Sequence, residues 1–199
     1  YPAQQTLTAA NPCSIPTRES AMLFEVSTQE SHAAKHPHEI FLINLITNHV
    51  LIFVGLLGMA KTYPALMLFT PVVSLVVLSY LLWRARRSLA IEPWFVVCHW
   101  QLCAQRSRFF IGMLALLGIV IVGLLFSVGM DPSQLKPGHY ALGGVAILPT
   151  LISVLVLIVM ESDAMHKAKI GDVPQWLVEK YPNPDAKPLA IAPTHQEAP

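Results

Sequence analysis

The chain has 199 residues, of which 54% are hydrophobic and only 13% charged, and its formal net charge is +1. Soluble domains carry roughly a quarter charged residues, and a fold this small exposes too much surface to leave so few charges on it. The balance speaks against a water-soluble fold and against an electrostatic grip on nucleic acid.

Residues 1–38 lack the basic-then-apolar order of a secretory signal peptide. Residues 1–16 are polar and carry Pro2, Pro12 and Pro16, which predicts little fixed structure. A short helix is expected near 17–33, showing Met22, Leu23 and Val26. The pattern His36-Pro37-His38-Glu39 follows; its residue types suit a metal, but histidines in that place are expected to be solvated or to meet lipid headgroups.

Four stretches free of Asp, Glu, Lys and Arg come next: Glu39 to Lys61, Lys61 to Arg84, Arg108 to Asp131 and Lys136 to Glu161, each holding 21 residues or more. A helix needs about 20 residues to cross ~30 Å of hydrocarbon. In lipid a single segment satisfies its backbone only as a helix. The fold class predicted is therefore an all-α integral membrane protein with spans at about 40–60, 64–84, 108–129 and 140–161. Pro64 suits the first turn of the second span, and Met130-Asp131-Pro132-Ser133 breaks the chain after the third.

The first span carries a polar face, Asn44, Thr47, Asn48 and His49, near the middle of its uncharged stretch. Polar groups at that depth are costly unless partnered. They read as interhelical hydrogen bonding, as an ion or proton path, or as a contact to quinone or haem. A haem held by two histidines needs both at one level; His99 and His139 each fall very roughly 15 Å or more from the level of His49. No cofactor is predicted for one chain alone.

Glu92 to Gln105 is apolar and aromatic but too short to span. With Trp94 and Trp100 it reads as a helix lying at the cytoplasmic interface between spans two and three, or as an inward extension of span three. His99 and Cys103 are four apart and share a helical face there, but zinc wants four ligands and the sequence sets no others beside them. The chain's three cysteines, Cys13, Cys98 and Cys103, form no disulfide or zinc-ribbon pattern.

Arg84, Arg86, Arg87, Arg106 and Arg108 flank that stretch and read as topology signals, with anionic lipid phosphates as their alternative partners. Four crossings place them with both termini, so eleven Lys and Arg fall on one side and two, Lys61 and Lys136, on the other. Both ends are expected in the cytoplasm, in a membrane of the bacterial inner type. Gly112, Gly118, Gly123, Gly143 and Gly144 permit close helix approach within the chain or to a partner, and Pro149 is expected to kink the fourth span. The tail, residues 162–199, is proline-punctuated; within it Trp176, Leu177 and Tyr181 form an exposed aromatic face suited to partner docking or to the membrane surface.

No nucleotide loop, zinc-protease motif or nucleophile elbow is present. The expected function is a non-catalytic accessory or structural subunit of a larger inner-membrane complex, with lipids, other membrane subunits or further copies as partners. A small oligomeric channel using the Asn44–His49 face and a redox-complex anchor contacting quinone or haem through His49 are the alternatives.

Overall fold

The computed structural model describes residues 21–59, 62–131 and 134–189. The expected helix start at residue 17, Arg18, Lys61, Pro132, Ser133 and the tail beyond 189 lie outside them. Four helices are long and apolar enough to cross a membrane: Thr28–Leu57, Ala65–Ile91, Trp94–Ser127 and Pro137–Ile170.

The first is a composite. Helix α1, Thr28–Ile43, widens into a π-helical stretch, Asn44–Ile52, and continues as α2, Phe53–Leu57. Its start is fixed by Ser27, whose hydroxyl oxygen accepts from the Glu30 amide at 3.2 Å while the Glu30 carboxylate accepts from the Ser27 amide at 3.0 Å. This reciprocal cap satisfies two amides that a helix end leaves bare. The helix expected near 17–33 is therefore corrected: strand β1, Ala21–Leu23, comes first, and the helix from Thr28 runs without a break into the first span.

A 3-10 turn at Pro64–Leu68 leads into α3, Phe69–Ile91. Glu92 is extended because the following Pro93 disfavours helical geometry there, and Pro93 opens α4, Trp94–Ser127. The Glu92–Gln105 stretch is thus no separate helix. From Trp94 it forms the first turns of α4, since nothing between Gln105 and Arg108 breaks the helix. Helix α5, Pro137–Ile170, contains Pro149 without interruption and ends at Gly171, whose φ of 81° is the left-handed conformation glycine adopts freely.

Beyond α5 the chain folds back. Strand β2, Asp172–Pro174, pairs antiparallel with β1, and α6, Gln175–Lys180, follows. Residues after α6 return to the same place: Leu189 donates to Leu23 O at 2.8 Å and Phe24 bridges to Pro188. The two ends therefore form one cap on a common end of the bundle. A Cβ at Gly171 would stand 2.3 Å from Phe24 O, so the closure of this cap requires glycine.

Packing divides the first, third and fourth long helices in two, whereas α3 is buried along one face for nearly its whole length. Buried residues on α1 and its π-helical continuation fall at Ser31, Ala34, His38, Phe41, Leu45, Asn48 and His49, then stop. On α4 they run from Phe95 to Phe110 and stop; on α3 and α5 none precedes Thr70 and Thr150. The half of the bundle next to the cap holds the core, and the far half is apolar but unburied.

Candidate functional site

Three helices bring five polar side chains together in the capped half. On α1, His38 lies on the stripe Ser31, Ala34, His38, Phe41, Leu45, spaced three and four apart, which keeps one helix face inward. On α5, Glu161 continues Leu157, Glu161, Ala164, Ala168, whose alanines let neighbouring helices approach. On α4, His99, Cys103 and Ser107 repeat at four, with Arg106 beside them. His38, Cys103 and Glu161 are wholly buried, and His99 is 1% exposed.

Glu161 is the hub. Its Oε2 lies 2.5 Å from His38 Nδ1, and its Oε1 accepts from Arg106 at 3.2 Å. Arg106 also donates to Met160 O at 2.9 Å, which fixes the guanidinium over the carboxylate. The other nitrogen of His38, Nε2, lies 3.1 Å from His99 Nδ1, with the rings edge to face. A carboxylate buried this deeply is tolerable only with partners of opposite charge and filled hydrogen bonds, and Arg106 and His38 supply both.

The order of bonds limits the proton arrangement. With Glu161 ionised, His38 donates from Nδ1. If His38 is neutral, its Nε2 accepts from His99 Nδ1–H; if it is imidazolium, Nε2 donates and His99 Nδ1 accepts. The two arrangements differ by one proton: the first leaves both rings neutral, and the second adds a proton and puts His99 in its Nε2–H tautomer. The far nitrogen of His99, Nε2, makes no hydrogen bond of ordinary geometry although the Asp172 main chain approaches it. Cys103 Sγ donates to Pro37 O at 3.4 Å, with the Ser107 hydroxyl beside it. Three members, His38, Cys103 and Glu161, present nitrogen, sulfur and oxygen donors that all lie within 4.8 Å of one another.

Access is limited. Three grooves, of about 500, 310 and 490 Å³, indent the surface of this half. Of the five residues only Arg106 lines one of them, the groove between Leu102, Met160 and Trp176.

The polar face expected on the first span lies farther from the cap and is closed on itself. Asn44 donates to Ser74 Oγ at 3.0 Å, and Asn48 donates to Thr70 O at 2.8 Å. His49 is buried under the Phe110 ring, 4.8 Å away between centroids, with neither ring nitrogen hydrogen-bonded. Thr47, in contrast, is exposed and not part of that face. The π-helical stretch is what turns adjacent residues, Asn44–Leu45 and Asn48–His49, inward together.

Other expected sites divide similarly. Arg84 is ion-paired with Glu92 and stacks over Trp100 at 4.9 Å. Arg87 lies over Trp83 at 5.6 Å, while Arg86 and Arg108 are exposed. Arg106 belongs to the buried cluster. In the tail, Leu177 is buried, so an exposed docking face of all three residues does not form. Trp176 is half-buried against the core, and the Tyr181 carbonyl accepts from Trp94 Nε1 at 2.5 Å.

Sequence reasoning left His38 solvated and found no companions for the His99–Cys103 pair. Both expectations are corrected here: His38 and Glu161 complete that group. The available signal was the 3–4 stripe of small and apolar residues, which runs through His38 and Glu161 past the ends of the uncharged stretches. Comparison with protein-family models, curated proteins and solved structures returns no match, so the functional reading rests on this chain's own residues.

Proposed function

We infer that the chain is an integral membrane protein of the bacterial inner-membrane type, with four crossings and both ends cytoplasmic. It serves as a non-catalytic subunit of a larger membrane complex. The carrying observation is the contrast between halves. Beyond His49 and Phe110 no described residue of the first and third spans is buried, and Ile119, Val122, Val145 and Leu148 lie about half exposed or more. Added Cβ atoms at Gly55, Gly118, Gly123 and Gly144 would meet nothing within 4 Å. Small-residue helix faces of this kind pack tightly against other helices in lipid.

The sidedness is supported by the eleven-to-two distribution of Lys and Arg and by the pairing of β1 with β2, which ties the two ends to one end of the bundle. On this reading Trp94 and the first turns of α4 lie at the cytoplasmic interface, with Arg86 and Arg108 facing lipid headgroups. The channel alternative is weighed lower because the side-chain amides of Asn44 and Asn48 donate to Ser74 and Thr70 of the next helix.

Native mass spectrometry of the protein extracted in a gentle detergent tests the reading. A stoichiometric complex with a different polypeptide is expected; a lone chain contradicts it, and a closed homo-oligomer favours the channel instead. A redox anchor is the second reading, supported by the unbonded nitrogens of His49. A haem or quinone that co-purifies and is lost in His49→Ala would establish it.

A further inference from the structure

We propose that His38, Cys103 and Glu161 form a three-ligand binding site for one borderline divalent metal ion, zinc foremost, with water as the fourth ligand. The inference stands apart from the subunit reading, because it concerns the single chain.

Donor chemistry comes first. One imidazole, one thiol and one carboxylate converge from α1, α4 and α5. Such a set suits zinc and its neighbours rather than magnesium or calcium, which take oxygen. Zinc bonds of about 2.0–2.3 Å put tetrahedral donors roughly 3.3–3.8 Å apart. The nitrogen, sulfur and oxygen atoms already lie within 4.8 Å, so the widest pair contracts by about 1 Å, and the His38–Glu161 pair opens by about 1 Å to admit the metal. His99 Nδ1 meets His38 Nε2, the nitrogen away from Glu161, at 3.1 Å and orients that imidazole from behind.

Two further observations single out these residues from an ordinary buried network. The cluster leaves donor capacity poorly used: His99 Nε2 and Ser107 Oγ are buried without a hydrogen bond of ordinary geometry, although the Asp172 main chain and the Cys103 thiol approach them. Buried polar atoms left so are rare in folded proteins. The second is the outer support. Arg106 holds Glu161 by Oε1 and leaves Oε2 turned toward His38; partners that orient a ligating carboxylate in this way recur around metal sites. Arg106 also lines the adjoining groove.

The thiol of Cys103 loses its proton to solvent and the thiolate sulfur bonds the metal. The Cys103 thiolate and the Glu161 carboxylate offset the two charges of the ion, and the Arg106 guanidinium on Glu161 leaves the group with one positive charge. No electron transfer is involved.

Cobalt titration tests the site. The whole chain, carrying Cys13→Ser and Cys98→Ser so that Cys103 is its one sulfhydryl, is purified in detergent, stripped with a chelator and titrated with Co²⁺. One equivalent is expected to give a thiolate-to-cobalt charge-transfer band with tetrahedral d–d absorption, and Zn²⁺ is expected to abolish both. His38→Ala and Glu161→Gln are expected to weaken binding by about 10-fold or more. If the double-serine background loses its helical circular dichroism, the same titration is read on the unsubstituted chain. A helical protein that shows no thiolate–cobalt band overturns the proposal. So does one whose cobalt affinity is unchanged by both His38→Ala and Glu161→Gln.

Discussion

The two halves of this bundle solve different problems with the same four helices. In the capped half, side chains at three- and four-residue spacing lock α1, α3, α4 and α5 together around Phe41, Leu78, Leu81 and Leu157, and ion pairs are buried among them. In the far half the sequence is more uniformly apolar, yet nothing is enclosed. Apolar surface gains little from meeting apolar surface when lipid is the solvent. Packing there depends on close fit and on hydrogen bonds, and the far half offers the glycines for a close fit without a neighbour in this chain to use them. A buried stripe that includes His38, Glu161 and Ser107 thus marks a self-sufficient unit, whereas a greasy surface marks one that meets lipid or another protein.

Substitutions that treat the halves alike are the sharpest way to break this contrast. Glu161→Ala removes the buried partner of His38 and of the part-buried Arg106 guanidinium, and removal of one partner from a buried pair costs up to about 3–5 kcal/mol. Thermal unfolding in detergent should show it as the largest loss. Leu116→Ala, in the exposed half, should stay within about 0.5 kcal/mol for the single chain. Equal effects would erase the division.

Gly171→Ala tests the cap. The left-handed backbone alone costs about 1–3 kcal/mol for a residue with a side chain, and contact with Phe24 O adds to it. Limited proteolysis should then release the residues after α5 while the four long helices persist.

Most of the bundle was legible in the sequence because lipid imposes a coarse rule: a helix must be long and uncharged to cross. The counts of Lys and Arg set an expected sidedness in the same way. The buried cluster was not legible from charge, because the rule that finds spans ends them at the first ionisable residue. Glu161 was read as a boundary for that reason, and His38 fell outside the first span. Their places depend on which face of a helix turns inward, and on three helices separated in sequence meeting at one level. Thr47 failed for a related reason: the π-helical stretch changes the rotation per residue, so the regular α-helical spacing no longer groups it with Asn44 and Asn48.

Asn48→Ala probes the border between the halves. It removes the bond to Thr70 O, and interhelical hydrogen bonds in lipid are worth about 0.6 kcal/mol on average, with a maximum near 1.7. A loss within that range, measured by unfolding in detergent, fits a packing role; a much larger one would show that the core extends outward past His49.

The smallest effect is a pH dependence at Asp172, outside the spans. Burial raises its carboxyl pKa above the usual value, with Lys167 opposing and Asp163 adding to the shift. A raised carboxyl pKa means that the folded state binds the proton more tightly than the unfolded one. The resulting stability is present below the unfolded pKa and is lost as pH rises through the folded one. Asp172→Asn should therefore be more stable than the parent at neutral pH, and the gap should close on acidification.

The division of the molecule is tested most directly by photo-crosslinking in intact membranes. A photoreactive residue is placed at Ile119, Val145 or Leu148 in the far half, all more than half exposed in the single chain. The account predicts a discrete adduct with a second, different polypeptide from at least one of these positions. Adducts with lipid alone at all three would contradict it, leaving the far half as a surface that simply dissolves in the bilayer.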